Sequence, residues 1–214
     1  MPTRLCSSVR RRIHREHSHV ERSVGTAVSG CIFFEIALAT ETLAEHVAVR
    51  YYTPDGQTHL ASNGAHIHAS GSFADLASAM VAAVLIPGGD PRRILVPKRL
   101  ATQPLQAQAQ RGTLLAGICA GSLVLAAAGL LRGRRATHNY TAEHAPAEAV
   151  AATAAFFEGM HFERANLVQD GQIITAQAWA YRQFAAAVAK QLGVLDPQAA
   201  IALETYVVRR TYAA

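Results

Sequence analysis

The chain has 214 residues, half of them hydrophobic and 16% charged. That is enough for one ordinary domain with a buried core, and too apolar for long intrinsic disorder. Net charge is +5, but +4 of it falls in residues 1–25, so the body carries no basic stripe for nucleic acid, and no apolar run reaches the roughly eighteen residues that a membrane span needs.

Residues 1–23 hold an Arg-Arg-Arg run and a cluster of His14, His17 and His19. They read as a basic N-terminal extension, expected to be disordered, with no Cys or Asp nearby to make a metal site of the histidines. Residues 24–34 contain β-prone pieces, although Gly-Thr-Ala-Val-Ser-Gly is a poor central strand. Residues 35–46 have helical spacing, and Val47–Tyr52 reads as a strand closed by Thr53-Pro54-Asp55-Gly56. Residues 65–69 alternate as a short strand with His66 and His68 on one face, and residues 73–79 form a short helix. Residues 82–86 make a buried strand that stops at Pro87-Gly88-Gly89, and residues 99–110 are helical. Residues 113–118 are a second buried strand, running straight into a helix that opens at Cys119 and ends at Gly129 or Gly133. Residues 150–157 are helical, a hairpin turns at Asp170-Gly171, a long helix covers 178–192, and Asp196-Pro197 caps a last helix to about Tyr206. Strands alternating with helices imply an α/β three-layer sandwich: a mostly parallel central sheet with helices on both faces. The chain thus divides into the extension, an α/β domain over 24–195, and a C-terminal helix or tail over 196–214.

In such folds sites lie beyond the carboxyl ends of the strands. Three segments there carry chemistry. Gly117-Ile118-Cys119-Ala120-Gly121 is a strand-to-helix elbow whose small neighbours allow a tight, strained bend. A thiol at the start of a helix is expected to ionise readily. Gly88 and Gly89 offer unobstructed amides which, with that of Ala120, can serve as an oxyanion hole. Glu35 follows Phe33 and Phe34 in apolar company; desolvation raises its pKa and suits it to hold or move a proton. Trp179 reads as core filling. The cysteines Cys6, Cys31 and Cys119, few and odd in number, suit free thiols in a reducing, cytoplasmic setting, and the Arg- and His-rich start has no apolar leader segment.

Glu35 with the following Ile-Ala-Leu-Ala-Thr-Glu-Thr-Leu, the Pro-Gly-Gly-Asp loop, residues 117–138 and the later Asp170-Gly171-Gln172-Ile173-Ile174-Thr175-Ala176 occur in one order and spacing that resembles the ThiJ/PfpI superfamily. The resemblance covers roughly residues 28–193 and implies a flavodoxin-like fold related to class I glutamine amidotransferase domains. It implies a reactive Cys119, a neighbouring acid at Glu35, backbone donors at Gly88, Gly89 and Ala120, and a homodimer. Peptidase-like members place His after the cysteine; Ala120 stands here, so proteolysis is disfavoured. Isonitrile-hydratase-like members usually carry Thr there and an Asp as the acid. The His of the family's Thr-Thr-His run is matched one position early by His138, with Asn139 in its place, and His138 is the third expected catalytic residue. The function expected is cysteine-dependent hydration or hydrolysis of a small electrophile, a reactive carbonyl or an isonitrile, with no cofactor and no metal. The alternative is a redox-sensing or protective binding protein whose Cys119 oxidises to sulfinate. A sensory domain feeding a DNA-binding partner ranks last, since no helix-turn-helix of adequate length follows residue 193.

Overall fold

The computed structural model describes residues 23–27, 30–90 and 96–205. The extension with its histidines therefore lies outside the described residues, Ser23 apart. The chain runs β1 (Ser23–Ala27), α1 (Phe34–Ala44), β2 (Ala48–Thr53), β3 (His59–Leu60), β4 (His66–Ile67), β5 (Gly71–Ser72), α2 (Phe73–Ser78), β6 (Val81–Ile86), α3 (Thr102–Gln110), β7 (Leu114–Ile118) and α4 (Gly121–Ala127). It continues through β8 (Arg135–Ala136), α5 (Ala147–Thr153), a 3-10 turn (Ala154–Phe157), β9 (His161–Phe162), β10 (Leu167–Asp170), β11 (Ile173–Ala176), α6 (Tyr181–Gln191) and α7 (Pro197–Thr205).

Seven strands form the main sheet in the order β10-β11-β7-β6-β1-β2-β5. All pairings are parallel except the β10–β11 hairpin. The weak-looking first strand is thus central, paired to β2 on one side and β6 on the other; two neighbours supply the ladder bonds that its own side chains do little to favour.

Alternation along the buried strands divides the core in two. Ala83 and Leu85 of β6, with Leu114, Ala116 and Ile118 of β7, pack under α1 and α6. Val84, Ile86 and Leu115 point the other way, toward residues of α2, α3 and α4. α1 presents Ile36, Ala39 and Leu43 to its face, and α6 presents Phe184 and Val188, the spacing of a helix with one buried stripe. α2 starts at a capping box in which the Asp75 amide donates to Ser72 Oγ (3.2 Å) and the Ser72 amide to Asp75 Oδ2 (2.7 Å). Asp75 thus closes the capping box. Asp196 caps α7 by accepting the Gln198 and Ala199 amides, each at 2.8 Å.

Chain order reverses between β1 and β6: β2 lies on one side of β1, and β6, β7 and β11 follow on the other. That reversal opens a crevice at the carboxyl ends of β1, β6 and β7. No helix among the described residues is long and apolar enough to cross a membrane.

Phe184 is fully buried between α6 and the sheet. Phe184→Ala is expected to cost about 3–5 kcal/mol of stability, read from urea unfolding; Phe34→Ala, at a position 57% exposed, should cost far less.

Candidate active site

The three loops that converge on the crevice place Glu35, Gly88 and Cys119 against one another. Cys119 donates its amide to the Ala176 carbonyl at 2.9 Å, continuing the β7–β11 ladder one residue past the strand. It then turns left-handed, with φ of 57°, a conformation that costs a non-glycine residue roughly 1–3 kcal/mol. The bend needs its small neighbours. A Cβ on Gly121 would run into the Ile86 carbonyl oxygen, and one on Gly117 would lie 2.8 Å from the Gly121 carbonyl.

Glu35 sits in the first turn of α1, yet it is only 1% exposed. Its carboxyl turns inward, where Oε2 accepts the Gly88 amide at 2.6 Å and the carboxyl is hydrogen-bonded with the Cys119 side chain. A Cβ at Gly88 would stand 2.6 Å from Glu35 Oε2 and 2.8 Å from Cys119 Sγ. Only glycine fits there, and without it the acid and the sulfur could not meet.

Burial raises the pKa of Glu35, against the Gly88 and Cys119 hydrogen bonds that favour its charged form. Burial, then the Glu35 charge and its hydrogen bond, push the Cys119 thiol up to about 12; the Ala120 amide acts in the opposite direction and is the weakest influence. The expected ready ionisation of Cys119 is therefore corrected. α4 has only seven residues, and its N-terminus does not outweigh burial beside an acid. Glu35 and Cys119 are hydrogen-bonded to each other and titrate as a coupled pair.

Above this pair opens a cleft of about 330 Å³ lined by Gly89, Cys119, Ala120, Asn139, Tyr140 and His144, among others. Glu35 lies beneath the sulfur, out of the cleft. Of the three expected oxyanion donors, Gly88 is committed to Glu35, which corrects that expectation. The Ala120 amide meets the sulfur, and Gly89 lines the cleft.

The expected role of His138 is also corrected. The residue is 7% exposed, and its ring stacks on Phe157 at 3.9 Å and lies 5.0 Å from Phe162. Nδ1 accepts the Tyr140 amide at 3.0 Å. Burial lowers its pKa from 6.5 to about 4, so the ring is neutral, and it does not line the cleft. The next two residues and His144 do. Trp179 is half exposed rather than core filling; its Nε1 donates to Asn166 Oδ1 at 2.9 Å and its ring meets His144 edge-on at 4.8 Å. His66 and His68 are exposed, and His68 Nδ1 faces Thr58 Oγ1 at 3.1 Å. Among the described residues no group of three or more His, Cys, Asp or Glu could hold a metal ion.

The family model of the DJ-1/PfpI family matches residues 33–191, which takes in Glu35, the Gly88 loop and the elbow. The chain belongs to the DJ-1/PfpI family. Solved family structures share its fold: a DJ-1 superfamily protein of Agrobacterium tumefaciens is 24% identical, covers 86% of this chain and 96% of its own, and superimposes with a TM-score of 0.71. DJ-1beta of Drosophila melanogaster is 22% identical with a TM-score of 0.69 over 86% of this chain and 95% of its own. Among curated proteins, the HTH-type transcriptional regulator CdhR of Pseudomonas aeruginosa is 40% identical over 88 residues, 41% of this chain. That match spans a quarter of the regulator's length.

Between pH 6.5 and about 4 the folded state binds fewer protons at His138 than the unfolded state does. Stability should therefore fall on acidification through this window, by roughly 3 kcal/mol from this residue. His138→Asn should flatten that part of the pH–stability curve measured by thermal unfolding; an unchanged acid slope would contradict the burial argument.

Proposed function

We propose that this DJ-1/PfpI protein is a cysteine-dependent hydratase or hydrolase for a small electrophile. The observation that carries the reading is the Cys119–Glu35 contact beneath an open cleft. A thiol pushed up to about 12 is a poor nucleophile until its proton leaves, and the buried carboxylate is in position to take it. As the sulfur bonds to an electrophilic carbon, the S–H proton passes to Glu35, then to the substrate atom that receives the electron pair. The bonded sulfur is a weak acceptor, which releases the Ala120 amide to join that of Gly89 in holding developing negative charge. Water then replaces sulfur at carbon, the C–S bond breaks and the thiol is restored. For an isonitrile R–NC the sum is R–NC plus water giving R–NH–CHO; for an activated carboxyl derivative it is acyl transfer to water.

The raised thiol weighs against a peroxide sensor, because the thiolate is the form that oxidises. A second reading is a ligand-sensing module without turnover. The 40% identity over 88 residues with a protein called a transcriptional regulator favours it.

Turnover of benzyl isonitrile and p-nitrophenyl acetate, followed by proton NMR, tests the proposal. Cys119→Ser should abolish it and Glu35→Gln should lower kcat about 10²–10⁴-fold with a smaller change in KM. Full activity of Cys119→Ser would overturn the mechanism. Saturable binding of either compound with no turnover by the unsubstituted protein would favour the sensing module.

A further inference from the structure

The first half of the proposed reaction uses Glu35. The second half needs a base on the other side of the carbon. Once the sulfur carries the substrate, Glu35 lies below it, 1% exposed and pinned to the Gly88 amide, while water arrives from the open cleft. A cleft of about 330 Å³ has room for roughly ten water-sized volumes, enough for a small adduct and an attacking water.

We infer that His144 is the group that activates this water. The inference rests on Cys119 being the nucleophile. His144 lines the same cleft as Cys119. It is presented by a tight turn in which the His144 and Ala145 amides donate to the Thr141 carbonyl at 3.0 and 2.9 Å. Its ring packs T-shaped against that of Trp179, centroids 4.8 Å apart, and Trp179 is itself anchored on Asn166. Glu143 Oε2 lies 3.8 Å from His144 Nε2 and is paired with Arg164 Nη1 at 2.9 Å. At 3.8 Å the carboxylate is too far for a hydrogen bond to the ring. The other titratable groups of the cleft are Asp90, Tyr140 and Cys119. His138 has no such access, being sealed among Phe157, Phe162 and Tyr140.

The step balances on a thioester at Cys119. His144 removes a proton from water as the oxygen bonds to the acyl carbon. The C–S bond breaks, the sulfur leaves with the electron pair, and the proton held by His144 is returned to it. The products are a carboxylic acid and the free thiol.

The experiment uses the full chain and p-nitrophenyl acetate as the probe. The unsubstituted protein should show a burst of p-nitrophenolate close to one per chain, then a slower steady phase set by hydrolysis of the acetyl-thioester. His144→Gln should keep the burst, lower the steady phase about 100-fold or more, and accumulate acetyl-Cys119 in intact-mass spectra. Added imidazole should speed deacetylation of His144→Ala and leave the unsubstituted protein unchanged, a rescue that a merely structural role would not give. An unaltered steady phase in His144→Gln, or loss of burst and steady phase together with no imidazole rescue, would overturn the inference. A burst that survives Cys119→Ser, or an unsubstituted protein with no burst, would instead remove the underlying assignment of Cys119, and this one with it.

Discussion

The Gly88 amide, the Glu35 carboxyl and the Cys119 sulfur meet at one point, and the surrounding architecture is arranged around that meeting. Glycine at position 88 is required because a Cβ would occupy the space between acid and sulfur. Glycines at 117 and 121 are required because the elbow packs against its own strand and against β6. The left-handed backbone at Cys119 stores strain that the buried strands on either side must hold. The switch in chain order between β1 and β6 brings the three loops to one edge of the sheet. If any of these relaxed, the sulfur would turn away from its acid.

The two walls of the crevice differ in kind. The floor is dry: a carboxylate with no access to solvent, shifted by burial and answered by one amide. The roof is open, built from the segment after β8, and carries Asn139, Tyr140 and His144. A buried acid suits proton exchange with the sulfur alone, and an open face suits the entry of substrate and water. This division is why two different groups are assigned to the two halves of the proposed reaction.

Much of this was legible in the residues. Apolar strands such as Val81–Ile86 and Leu114–Ile118 announce a parallel sheet, and the run of small residues around Cys119 announces the elbow. Glu35 drew notice because it follows two aromatics, but it stands in the first turn of α1 and not at a strand end, and its inward turn is set by the Gly88 amide. The roof was not legible. The loop after β8 has no periodicity, so spacing could not say which of His138, Asn139 and His144 reaches the cleft; the aromatic cage around His138 is assembled from Phe157 and Phe162, far along the chain. The two histidines six positions apart after the elbow were the available signal. Nor could the local pattern at Cys119 show the strength of burial, which reversed the expected direction of the thiol's shift.

The central claim is that the buried acid and the thiol titrate as a coupled pair, each shifted upward. It is tested most directly by following the Glu35 carboxyl carbon by ¹³C NMR across pH, alongside thiolate absorbance of Cys119. The account predicts that the Glu35 midpoint lies above the ordinary carboxylate range, that the thiolate appears only near the upper end of the alkaline range, and that the Glu35 carbon senses this second step. A Glu35 midpoint at an unperturbed value, with independent ionisation of Cys119 below neutrality, would contradict it.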